Sequence, residues 1–106
     1  MLTRARRRPQ VARWAPGARV VKCFNTVGWN VMAEPLFGGE RAAMLLAGDD
    51  AGANADVARL AEDLGFQPHA VGAGLKCARY LEGVAMAWIH MSLAGSRDFA
   101  FVLKRR

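Results

Sequence analysis

The segment Arg41–Val71, RAAMLLAGDDAGANADVARLAEDLGFQPHAV, decides the fold. Arg41–Ala47 is an apolar run of strand length, and Gly48-Asp49-Asp50 follows as a turn with a carboxylate placed to cap a helix. Ala53, Val57, Leu60, Ala61 and Leu64 then recur at helical spacing, with Asp56, Arg59, Glu62 and Asp63 on the other face. Gly65 suits the position just past a helix end. Phe66–Val71 reads as a further strand despite Pro68. Strand, helix and strand within about thirty residues make a βαβ unit, with parallel strands and a right-handed crossover.

On the N-terminal side stands Val20–Asn30, VVKCFNTVGWN. Val20, Val21, Cys23 and Phe24 suit a strand over Arg19–Phe24 that is buried on both faces of a parallel sheet. Asn25, Thr26 and Gly28 end it with hydrogen-bonding groups and a residue that another molecule can approach closely. In open α/β sheets ligands gather beyond the carboxyl ends of strands, so this loop is the candidate site. Trp29–Ala33 fits a short helical turn closed by Pro35 and Gly38-Gly39. On the C-terminal side, Leu75, Ala78, Leu81, Ala85, Trp88, Ile89 and Ser92 line one face of a helix over Leu75–Leu93. The expected architecture is α/β, with three mostly parallel strands and flanking helices.

Charge separates the chain into two parts. Of its 15 basic residues, seven lie in Met1–Lys22, where no acid occurs; from Cys23 onward the balance is −1. The net charge of +6 therefore belongs to an Arg-rich leader, residues 1–14, expected to be disordered and solvated. The leader has one aromatic, Trp14 at its end, none interleaved among Arg4–Arg8, and Pro9 interrupts it, so no nucleic-acid partner is expected. Arg6-Arg7-Arg8 has no apolar stretch behind it of the kind an export signal needs. The longest apolar run, Val84–Met91, is too short to span a bilayer. Cys23 and Cys77 stand in apolar settings without metal-ligand spacing and read as reduced, buried thiols. These features point to a cytoplasmic protein with no membrane association.

The inventory for acid–base or nucleophilic chemistry is thin. His90 falls on an apolar helix face and reads as a packed histidine, whereas His69 reads as a surface residue. Asp49-Asp50 is explained by helix capping, and no metal site is assigned. Hydride transfer between two bound rings asks for no side-chain acid or base, only for rings held face to face.

The segments VVKCFNTVGWNVM, MLLAGDD, LAEDLGFQP, VGAGLKCARYLEGVAMAWIHM and RDFAFVLKRR resemble the second half of the deazaflavin-dependent NADP reductase family, to which the cytosolic domain of the STEAP metalloreductases is related. The resemblance covers residues 15–106. It implies a partial Rossmann-like domain lacking the first mononucleotide-binding half, which carries the Gly-rich phosphate loop. It also implies NADP and a deazaflavin or flavin as cofactors. Asn25, Thr26 and Gly28, with Trp29 and Asn30, would border the nicotinamide and the second ring. MLTRARRRPQ does not match the segment that the family places there, so a truncated unit of doubtful independent activity is expected. The alternative is a non-catalytic module whose exposed strand edge pairs with a second copy or a separately encoded first half.

Overall fold

The computed structural model describes residues 10–72 and 74–106. Its order is α1 (Gln10–Trp14), β1 (Val21–Lys22), α2 (Trp29–Ala33), β2 (Leu36–Phe37), β3 (Glu40–Arg41), β4 (Ala43–Gly48), α3 (Ala51–Asp63), β5 (Gln67–Ala70), a 3₁₀ turn (Leu75–Cys77) and α4 (Ala78–Leu93). Met1–Pro9 of the leader lie outside the described residues. The rest of the leader departs from expectation: Gln10–Trp14 is helical, and Ala12 is buried against Ala47, Leu75 and Leu81.

The βαβ unit is present. β4 and β5 are parallel, with Ala43 opposite Gln67 and Leu46 opposite Ala70, and α3 joins them. Asp50 caps α3 by accepting the Ala53 amide at 2.7 Å, and Gly65 follows the helix at φ +99°. β4 is the central strand, and nearly all its side chains are buried. Leu45 and Ala47 face α4, whereas Met44 packs with Val31, Ala61 and Phe66 on the other side. The chain is thus a partial Rossmann-like α/β fold: a parallel strand pair with flanking helices.

Three expectations are corrected. β1 is only two residues long and antiparallel to β4, with Val21 opposite Gly48 and Lys22 opposite Ala47. The connection from β1 to β4 is spent on α2 and on the β2–β3 hairpin, not on a crossover that would return the chain to the other end of the sheet. Gly38-Gly39, expected to close α2, instead form that hairpin's two-residue turn, both at positive φ. In α3 only Ala61 is fully buried; Leu60 and Leu64 stay about half exposed, at 51% and 47%, because the sheet beneath has three strands.

α4 packs through Ala78, Leu81, Ala85 and Trp88 as its spacing predicts. Ile89 is 43% exposed, and His90 is exposed rather than packed. No helix among the described residues is long and apolar enough to cross a membrane.

Candidate functional site

Two residues beyond β1 the chain turns at Phe24, a non-glycine residue at φ +66°. The loop then divides its side chains among three environments. Both polar atoms of the Asn25 amide are buried and have no hydrogen-bond partner among the described residues. Thr26 is only 3% exposed, and its hydroxyl reaches the Met44 sulfur at 4.0 Å, a weak acceptor. Trp29 projects outward and is 75% exposed. Asn30 donates its amide N–H to the Arg97 carbonyl at 3.1 Å, and its Oδ1 is buried without a partner.

Gly28 does not offer the open backbone that its sequence suggests. It is buried, and a Cβ built on it would lie 2.7 Å from Trp88 Cη2 and 3.1 Å from Asn30 Oδ1. The indole of this chain's own α4 thus fills the space expected for a bound ring. Trp88 donates its Nε1–H to the Phe99 carbonyl at 2.9 Å and stacks on the Phe99 ring, centroids 5.1 Å apart. Ala43 in turn donates to the Phe101 carbonyl at 2.8 Å. Residues 97–101 therefore strap the loop to α4 and β4. Gly28→Ala should cost about 1–3 kcal/mol of stability, as overpacking of a filled site does. A urea denaturation midpoint equal to that of the unaltered chain would show that Trp88 moves aside freely.

The antiparallel β1 also changes which pole of the sheet the loop occupies. The chain leaving Lys22 runs from Ala47 towards Ala43, so Thr26 shares a cleft with Ala43 and Leu45 at the amino end of β4. The carboxyl ends of β4 and β5 carry a different set, which the sequence reading passed over. Gly72-x-Gly74 joins β5 to the 3₁₀ turn with a spacing similar to that of a phosphate loop. Here Asp49 Oδ1 accepts the Leu75 amide at 2.8 Å. A carboxylate of this chain thus occupies the first backbone donor of the 3₁₀ turn.

Burial pushes the Cys23 thiol up to about 11, against an opposing hydrogen bond from the Phe24 backbone. Burial also lowers the His69 pKa, helped by the Arg105 charge. For Cys23 the unfolded chain ionises from pH 9, whereas the folded chain keeps its proton to about 11. The stability this thiol supports is complete below pH 9 and is lost as pH rises to about 11. Urea titrations across that interval should show a steeper decline for the natural chain than for Cys23→Ala; parallel declines would place the thiol in water.

The loop holds an unpaired donor–acceptor pair at Asn25 and a second orphan acceptor at Asn30. Trp88 was not legible as part of this site because its contact with Gly28 joins residues sixty positions apart.

No protein-family model matches the chain, and no curated protein matches it. Among solved structures it is similar to a protein from Arthrobacter sp. FB24 described as a "putative F420 dependent NADP-reductase", with a TM-score of 0.79 and 34% sequence identity over 91% of this chain. The chain spans 44% of that protein's length. The resemblance read from the sequence is thereby borne out: the chain is similar to part of an NADP reductase and shares its mixed α/β fold.

Proposed function

We propose that this chain is the part of an NADP-dependent oxidoreductase that carries the loop beside the site of hydride transfer, and that it acts with a first, phosphate-binding half. The observation that carries this reading is the 34% identical structural match to the Arthrobacter protein, over 91% of this chain. NADP(H) and a deazaflavin or flavin, when bound, supply the hydride and its acceptor. This chain's residues hold and orient: the buried Asn25 amide keeps a donor and an acceptor unpaired among the described residues, which a ring would engage once the loop opens to it, while Gly28, Trp88 and Phe99 keep the loop in place. The free edge of the short β1 is where a first half could continue the sheet.

The test is calorimetric titration of NADPH, first into this chain and then into it together with the residues of the Arthrobacter protein that it does not match. Binding is expected only in the second case, because dinucleotide affinity comes largely from phosphate contacts at a helix N-terminus. The joined protein should then reduce a deazaflavin or flavin. Micromolar binding by this chain alone would overturn the need for a first half. A folded joined protein that binds no NADPH would overturn the functional reading itself.

A further inference from the structure

A cleft whose walls do not include Asn25 lies beside the loop and is apolar in character. It encloses about 520 Å³ between β4, α4 and the C-terminal strap. Its walls include Leu45, Val84, Ala87 and Phe101, with Thr26 at one side and Lys104 at the rim. This volume lies within the range of sites that take one small organic molecule.

Two observations give the occupant its chemistry. The walls are apolar, so the body of the ligand is apolar. The rim is cationic. Lys104 pairs with Glu40, and Arg41 lies with both around a hollow of about 320 Å³ that shares Val102, Leu103 and Lys104 with the cleft. Two cations thus stand with one carboxylate, and the surplus positive charge favours a negatively charged headgroup. Thr26, almost wholly buried with only a sulfur for its hydroxyl, adds one underused polar group to an otherwise dry wall.

We propose that this cleft binds a small amphiphilic organic anion, with its apolar body between β4 and α4 and its charged head towards Lys104 and Arg41. The ring or chain displaces water from Leu45, Val84 and Phe101, and the head is held at the exposed rim. The proposal shares Thr26 with the candidate loop but does not depend on the NADP reading, since it needs neither the Asn25 amide nor a first half.

The test uses 1-anilinonaphthalene-8-sulfonate as the probe, followed by fluorescence. Saturable one-to-one binding is expected, with competition by decanoate and about tenfold weaker competition by decanol. Ala87→Phe fills the cleft from the exposed side of α4 and should weaken binding about tenfold; Lys104→Glu should weaken it several-fold. Val84→Met is a second filling variant with the same expectation. Leu93→Lys changes an exposed apolar residue of α4 that does not line the cleft and should leave binding unchanged. Thermal midpoints of all variants establish that they are folded. No saturable binding, binding insensitive to both filling variants, or binding lost in Leu93→Lys would each overturn the site. Equal competition by decanol would overturn its preference for an anion.

Discussion

Replacing Gly74 by alanine is expected to destabilise the fold by about 2–4 kcal/mol, enough to lower the melting temperature of a domain this size by roughly 10–25 °C. Two costs act together. Gly74 sits at φ 96°, ψ −165°, a region essentially reserved for glycine. A Cβ there would also run into Asp49 Oδ1, the atom that accepts the Leu75 amide. Relieving that collision breaks the bond that starts the 3₁₀ turn leading into α4. Asp49→Ala removes the cap without backbone strain and should cost about 1 kcal/mol. Thermal melts of the two variants separate the causes. A Gly74→Ala melt within two or three degrees of the natural chain would mean that the turn re-forms in another conformation.

Asn25→Leu is expected to push stability and function in opposite directions. Leucine is close to asparagine in shape, and the asparagine amide is buried with neither atom partnered among the described residues. Removing an unsatisfied buried polar group should stabilise the chain by about 1 kcal/mol, measured by urea denaturation. On the proposed reading the same amide orients a ring in the joined protein, and losing that orientation should slow hydride transfer about a hundredfold. A residue kept at a cost in stability is what a binding role requires. Loss of stability in the variant would show that the amide is satisfied. An unchanged transfer rate in the folded joined protein would move the site away from this loop.

Much of the fold is legible because it rests on local periodicity. The apolar run of β4, the Asp50 cap, the helical spacing of α3, the Gly65 stop and the β5 run lie next to one another in sequence, so residues 41–71 specify their βαβ unit. The stripe of α4 is legible as far as Trp88.

What failed to be legible depends on contacts between distant segments. A run such as Val20–Phe24 has the same polarity whether it pairs parallel or antiparallel, and only the path from β1 to β4 sets its direction. That direction carried the Asn25–Asn30 loop to the amino end of β4. Gly28 reads in sequence as an invitation to a ligand, but folding brings Trp88 against it. The amphipathic stripe of α3 predicts burial for Leu60 and Leu64, yet coverage depends on how many strands lie beneath the helix. The sequence by itself determined the elements and the candidate loop, because helix, strand, cap and turn chemistry act within a few residues. Only the tertiary structure decided the strand direction, the neighbours of the loop and the existence of the cationic-rimmed cleft, because each depends on side chains that meet across more than fifteen residues of chain.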